Sequence, residues 1–442
     1  MRARTAQDRQ LSLKLKRLRE SHEDHWAYRG AARADKQTLF QYPAMMIADM
    51  QRDLTCALLA HRPKSKGPVF DPFAGSGTVL GAAMSLGRDF VGWDINPLAV
   101  LICRVKAGPL HVGAFADAAQ RVAGVTAAVT PEERFENWRH WFTKDVACGL
   151  TALRQAIAAE PSRATRRFLW VCLAETVRLT SNSRTSTVKL HRRPVEQIAS
   201  RPDPVGMFKR VAGENLRRLR ETSVDLANVG QMKRGWYRGH VTIRLGDSRE
   251  LEFAGPPAAA LVTSPPYGDN TSTVPYGQHA YLPLQWIDLP DIDADAGSDW
   301  VLSTYEIDRR SLGGSKRITA EQQERLTFLS PTMAKLMRRL ENAKSDRRNR
   351  LVAFTRDLDD ALACALPRVE RGGVAAWTVG SRRVGGQLVP LHEILTELAS
   401  HHGYAEIDTL HREIPVDRKR MAARNEAGAT MNREHIVVLR RT

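Results

Sequence analysis

Five residues, Thr263-Ser-Pro-Pro-Tyr267, join a hydroxyl, two imino acids and an aromatic ring in a form suited to gripping a flat heterocycle that carries an amine. Pro265 and Pro266 have no N–H and hold φ near −65°. The carbonyls of Ser264 and Pro265 therefore meet no local donors from those positions and can accept from a ligand. The Tyr267 ring follows at once and can stack on a planar group. A rigid turn with a packed tyrosine needs the same residues, so the motif alone leaves both readings open. A second group is Asp71-Pro-Phe-Ala-Gly-Ser-Gly-Thr78. Gly75 and Gly77 let the backbone approach a ligand closely, and the helix that follows offers its N-terminal amides. Asp94 ends the next apolar segment, where a carboxylate can accept both hydroxyls of a ribose. An ordinary tight turn also explains a Gly-x-Gly pair.

The elements that must position these residues read as an α/β chain. Val69-Phe70 is a strand running into the glycine turn, Val79–Leu86 a helix, and Asp89–Asp94 a second strand. That β-α-β unit predicts a parallel sheet. Strand signals return at Val241–Leu245, Ala259–Thr263, Arg350–Phe354, Gly373–Val379 and His435–Leu439. Helices are predicted at Glu321–Glu341 and Leu391–His402, and residues 9–36 are charged and helix-like. Between the two groups of strands, apolar positions recur at helical spacing through Phe135–Ile157, Phe168–Leu179 and Val205–Leu226. Residues 161–240 carry 17 Lys/Arg against 6 Asp/Glu. Four segments follow: a basic N-terminal piece (1–36), a first half of the α/β unit (37–110), a basic helical insertion (111–240) and a second half (241–442).

Composition narrows the function. The 442 residues hold 66 Lys/Arg and 49 Asp/Glu, a formal charge of +17, which favours a polyanionic partner, nucleic acid before membrane. The apolar fraction of 43% is enough for a sizeable core. No stretch approaches the ~20 apolar residues of a membrane span, and no apolar run follows the basic start as a secretory signal requires. Cys56, Cys103, Cys148, Cys172 and Cys364 stand singly, without a zinc-ribbon or disulfide pattern. A cytoplasmic location is expected.

Together, Asp71–Thr78 and Thr263–Tyr267 resemble the signature motifs of the S-adenosylmethionine-dependent DNA amino-methyltransferases, and the Ser-Pro-Pro-Tyr form looks most like the N4-cytosine branch. Adenine-N6 enzymes more often carry Asp or Asn at the place of Ser264. Phe40-Gln-Tyr-Pro-Ala-Met45 resembles the segment that packs over the methionine part of the cofactor, and Leu245-Gly-Asp-Ser248 the acidic turn near the adenine. Met421–Asn425 and Asn432–Val438 resemble the closing strands. The resemblance implies a Rossmann-like fold with a mixed, mainly parallel seven-stranded sheet. It implies S-adenosylmethionine held by Tyr42, Pro43, Asp71, Phe73, Gly75, Ser76, Gly77, Thr78, Asp94, Asn96, Asp247 and Ser248. Ser264, Pro265, Pro266 and Tyr267 would take the base: N4–H bonds to the Ser264 hydroxyl and the Pro265 carbonyl localise the amine lone pair, and Tyr267 stacks. Direct transfer from a sulfonium needs no metal. Many N4-cytosine enzymes place the two motifs in the opposite order; in the order found here, target recognition usually sits between the halves.

The implied activity is site-specific methylation of cytosine N4 in double-stranded DNA, in restriction–modification or a related defence, beside a cognate endonuclease. Two rivals stand beside it: adenine N6 or an RNA base as acceptor, and a catalytically silent nucleic-acid-binding subunit. Arg184, Lys189, Arg192 and Arg193 are the candidate DNA contacts within Arg184–Arg193, a stretch that a solvated loop also explains. Lys335–Arg350 is a second basic run. Asp291–Asp295 lacks the Gly and Glu of a calcium loop and reads as a mobile acidic loop. Trp138 and Trp141 read as core, His401-His402 as a helix end, and Asn270–Tyr276 as a lid over an extruded base.

Overall fold

The computed structural model describes residues 4–22, 24, 26–27, 38–126, 130–250, 252, 255–271, 273–315, 317–414 and 433–442. The expected closing segment Met421–Asn425, Asn432 and residues 28–36 lie outside them. Seven strands build the sheet, and those at its centre are buried on both faces, as parallel strands covered on each side require. The seven are β1 (Val69–Asp71), β2 (Phe90–Asp94), β3 (Val241–Leu245), β4 (Ala258–Thr263), β5 (Val369–Gly380), β6 (Tyr404–Glu413) and β7 (Arg433–Arg441). Their order is β3-β2-β1-β4-β5-β7-β6. The first five are mutually parallel, and β7 runs antiparallel to both β5 and β6. The sheet is thus the mixed, mainly parallel, seven-stranded one expected.

Alternate residues of β5 and β7 feed opposite faces. Val374, Ala376, Ile436 and Val438 join one apolar cluster, and Ala375, Trp377, Val437 and Leu439 the other. The first face is covered by α1 (Ala6–Ser21), α2 (Ala48–His61), α3 (Thr78–Ser85), α4 (Pro97–Ala107), α5 (Val112–Val122), α6 (Lys144–Ala158), α7 (Arg163–Thr180), α8 (Pro204–Asn228) and α9 (Tyr276–Gln285). Phe168 and Trp170 of α7 are fully buried in the same cluster as Leu54 and Leu98, so the helices of 111–240 share the core of the sheet. The second face is covered chiefly by α10 (Ser345–Ala365) and α11 (Leu391–His401).

Three sequence expectations are corrected, and one strand goes unanticipated. Arg350–Phe354 is not a strand but part of α10. Leu351, Phe354, Leu358, Leu362 and Ala365 recur at helical period and are all buried; a five-residue window cannot separate a buried helix from a strand. The helix expected over Glu321–Glu341 is two, Ala320–Leu329 and Pro331–Arg339. Pro331 has no N–H to continue the first, and the Ser330 hydroxyl caps the second by accepting from Met333 N–H at 3.0 Å. The N-terminal helix ends at Ser21. Strand β6 carried no anticipated signal because an irregularity between Glu406 and Asp408 breaks its alternation.

Candidate active site

Strand order reverses at β1, whose neighbours are β2 on one side and β4 on the other. Ligands of open α/β sheets bind in the crevice beyond the carboxyl ends of the strands at such a switch. Both sequence motifs lie there. Asp71 ends β1 and Thr263 ends β4, and Thr263 Oγ1 donates to Asp71 Oδ1 at 2.6 Å. Asp71 Oδ1 also accepts from Phe73 N–H at 3.0 Å, while Oδ2 is buried without a hydrogen-bond partner. Burial pushes the Asp71 carboxyl up to about 7, against the two hydrogen bonds that favour its ionised form.

On the β2 side, Gly75 and Gly77 have φ of 52° and 78°, the left-handed region that disfavours a side chain. A Cβ at Gly77 would lie 3.0 Å from Cys103 Sγ. Gly75 N–H donates to Asp94 Oδ2 at 2.7 Å, and Asn96 N–H to Asp94 Oδ1 at 2.8 Å. Burial holds the Asp94 carboxyl up at about 6. Asn96 caps α4 through Leu98 N–H at 3.0 Å and donates from Nδ2 to the Tyr42 hydroxyl at 3.1 Å. The Tyr42 ring lies 5.6 Å from Tyr276. Pro43, Phe73, Ser76, Thr78 and Ser248 line the same cleft. Asp247 lines it too, but its carboxylate is held by Arg249 Nε at 2.9 Å.

On the β5 side, Ser264 Oγ donates to the Thr378 carbonyl at 3.0 Å and lies 3.3 Å from the Tyr267 hydroxyl. Tyr267 donates in turn to Glu434 Oε1 at 2.9 Å, and Glu434 Oε2 accepts from Arg412 Nε at 2.7 Å. Burial and the Glu434 charge keep the Tyr267 hydroxyl protonated, well above the usual phenol range. Pro265 is buried and Pro266 half-buried. Glu434 and Arg412 are functional candidates that sequence reading passed over. They are cross-strand partners on β7 and β6, and only that register joins them to Tyr267. The one available signal is that Glu434 falls within a segment already resembling a closing strand.

Of the residues expected to hold cofactor and base, all but Asp71 and Gly77 line one cleft of ≈ 1400 Å³, as do Glu434 and Arg412. Ligand pockets usually span about 300–1,000 Å³, so it has room for more than one small molecule. Among the described residues, eight Lys/Arg line it against five carboxylates. Of the four basic residues singled out, Lys189 reaches the cleft, and Arg184 and Arg192 are exposed outside its lining. Arg193 donates to the Ser183 carbonyl at 3.1 Å and serves its own loop. That loop docks on α9 through Leu190 N–H to Gln278 Oε1 at 3.2 Å. From Lys335–Arg350, Arg347 and Arg350 line the cleft. Asn270 and Tyr276, from the expected lid, line it as well.

Other signals find structural uses. Asp291 accepts from Arg166 Nε and Nη2 and from Trp170 Nε1, each at 2.8 Å, so the acidic loop is an ion-paired anchor on α7 and not the mobile segment expected. Trp138 and Phe142 are buried, with Phe142 edge-on to Trp286 at 5.5 Å; Trp141 is half-buried. His402 bonds Asp359 at 2.7 Å beyond the end of α11. Among the described residues no group of three His, Cys, Asp or Glu side chains is arranged to hold a metal, and no helix is long and apolar enough to cross a membrane.

Comparison with known proteins agrees with this geometry. A family model described as DNA methylase matches residues 3–103. The chain is 27% identical over 422 residues to the Type II methyltransferase M.MvaI of Kocuria varians, covering 90% of this chain and 89% of that one. The solved rRNA methyltransferase aviRa of Streptomyces viridochromogenes aligns over 92% of this chain and 90% of its own, at 14% identity and a TM-score of 0.30, too slight a likeness to carry an argument.

Proposed function

We propose, for a chain that belongs to the DNA amino-methyltransferase family, that it methylates the exocyclic N4 of cytosine in double-stranded DNA, with S-adenosylmethionine as donor. The observation that carries this reading is the hydrogen bond from Thr263 to Asp71. It ties the glycine turn and the Ser-Pro-Pro-Tyr loop together at the mouths of adjacent strands.

The β2 side fits the donor in three respects. The left-handed Gly75–Gly77 turn leaves backbone close to the cleft. Asp94 keeps two carboxylate oxygens, each with one backbone donor and spare lone pairs for ribose hydroxyls. Asp71, buried behind the cleft lining, accepts from Phe73 N–H and the Thr263 hydroxyl and so fixes the turn that faces the donor. Bound there, S-adenosylmethionine supplies a methyl group already activated by its sulfonium.

The rest belongs to the chain. Ser264 spends its proton on the Thr378 carbonyl, so its lone pairs are left to accept. An amine N–H is the complementary donor, and this favours an amine acceptor held by serine, as in the N4-cytosine branch. With a second bond to the Pro265 carbonyl, the grip draws the nitrogen towards tetrahedral geometry and frees its lone pair. Much of the rate would come from this alignment. The target base is inaccessible inside a duplex and is extruded at a cost of about a few kcal/mol, repaid in part by phosphate contacts from the basic surface. A role in restriction–modification or a related defence, beside a cognate endonuclease, suits such an enzyme.

The test is to incubate genomic DNA with the protein and labelled S-adenosylmethionine, digest to nucleosides and identify the product by mass. N4-methyldeoxycytidine is expected. N6-methyldeoxyadenosine would overturn the choice of base.

A further inference from the structure

Beyond β5 the chain forms a small hairpin, Arg382–Val384 paired with Gln387–Val389. Its turn is Gly385-Gly386, with φ of 56° and 80°. Two consecutive left-handed residues give the tight turn whose twist matches a two-stranded ribbon. Val384 and Val389 are buried in the apolar cluster beneath. The opposite face carries one cross-strand pair, Arg383 against Leu388. Arg383 is exposed, and Leu388 is 51% exposed. Both line the cleft that holds Ser264 and Tyr267.

The hairpin is fixed relative to the catalytic loop. Arg382 Nη1 contacts the buried Asp269 carboxylate at 2.9 Å, two residues after Tyr267. A Cβ on Gly268 would run into the same guanidinium at 2.4 Å. Strand order sets the side: β5 lies across β4 from β1 and β2, so the ribbon stands on the base side of the cleft, away from the glycine turn. Charge names the occupant. Four of the five cleft carboxylates (Asp247, Asp269, Asp346 and Glu434) are matched by arginines, whereas Arg383 has no carboxylate partner among the described residues; its Nη1 donates to the Gly386 carbonyl of its own turn at 2.8 Å, which leaves the other guanidinium nitrogens to meet a phosphate. A cation beside an exposed leucine on a rigid prong suits a phosphate backbone with a stack of bases behind it.

We propose that this hairpin is the wedge of the enzyme: Leu388 enters the duplex at the step the target base leaves and fills the vacated stack, while Arg383 holds the adjoining phosphate. Apolar side chains inserted at base steps hold duplexes open in this manner. The proposal rests on the methyltransferase reading above, and the test separates the two.

Wild-type protein and Leu388→Ala are compared on two duplexes carrying the site found by modified-base sequencing. One is fully paired; the other has an abasic position opposite the target, so that extrusion costs little. On the paired duplex L388A should transfer methyl groups about tenfold or more slowly, and on the abasic duplex within about twofold of wild type, because the penalty of extrusion is least for an unpaired base. Arg383→Ala should weaken binding to both duplexes alike. Equal rates for L388A and wild type on the paired duplex, or an equal loss on both duplexes, overturns the wedge alone. Wild-type protein that labels no DNA overturns the methyltransferase reading, and the wedge with it.

Discussion

Glu434 holds the Tyr267 hydroxyl on one oxygen and Arg412 on the other. Removing the carboxylate strands a guanidinium and a phenol in a mostly buried place. Glu434→Ala should therefore cost about 3–5 kcal/mol of stability in urea melts, whereas Tyr267→Phe, which deletes only a hydroxyl, should cost about 1 kcal/mol. Equal losses would mean that Arg412 finds solvent. The two buried aspartates set a pH response. Asp71 at about 7 and Asp94 at about 6 lie above the ~3.9 of an unfolded aspartate. Between pH 4 and 7 the folded chain keeps protons that the unfolded chain has lost, so these groups lower stability as pH rises through that window. Asp71→Asn should raise the melting temperature of the ligand-free protein at pH 8 and leave it nearly unchanged at pH 4. Cofactor binding runs the other way: calorimetry should find affinity for S-adenosylmethionine weakening below about pH 6, as Asp94 gains a proton, and Asp94→Asn weak and flat. The sequence names Asp71, Asp94 and Ser264 from their motifs. It cannot name Glu434 or Arg412, whose meaning depends on how two distant strands pair.

At the scale of elements, what sequence makes legible follows from how local the cause is. The unit from β1 through α3 to β2 can be read residue by residue, because glycine freedom, a short apolar run and a helix period all act within a few positions. Gly77→Ala tests that unit. It forces a side chain to φ 78° beside Cys103, at about 1–2 kcal/mol, and should weaken cofactor binding while DNA affinity holds. Unchanged cofactor affinity would show the turn yielding elsewhere. Strand β6 goes unread and α10 is misread, both for non-local reasons. A bulge cancels the alternation of one, and burial on several sides hides the period of the other. Ser330-Pro331 shows the opposite case, a local break that a long apolar pattern obscures.

For the whole molecule, 66 basic against 49 acidic residues create a field that draws in a polyanion. The architecture concentrates it: the helices of 111–240 share one core with the sheet, and the cleft at the strand ends carries Lys189, Arg347 and Arg433. DNA affinity should fall steeply with salt. Lys189→Ala should reduce the slope of log affinity against log salt by about one; an unaltered slope would take this residue out of the phosphate contact. Arg193→Ala should act mainly on its loop, since its guanidinium is already bonded to Ser183. Charge count is plain in the sequence, but where charge gathers depends on the fold.

The central claim is that one site, formed where β1 meets β4, passes a methyl group to an amine held by Ser264. Single-turnover transfer into DNA at saturating S-adenosylmethionine, measured for wild type and Ser264→Ala side by side with calorimetry of the cofactor, tests it most directly. The expected result is methyl on cytosine N4 for wild type, transfer slowed about a hundredfold in the variant, and cofactor affinity the same in both. Undiminished transfer by Ser264→Ala, or a loss of cofactor affinity equal to the loss of rate, would contradict it.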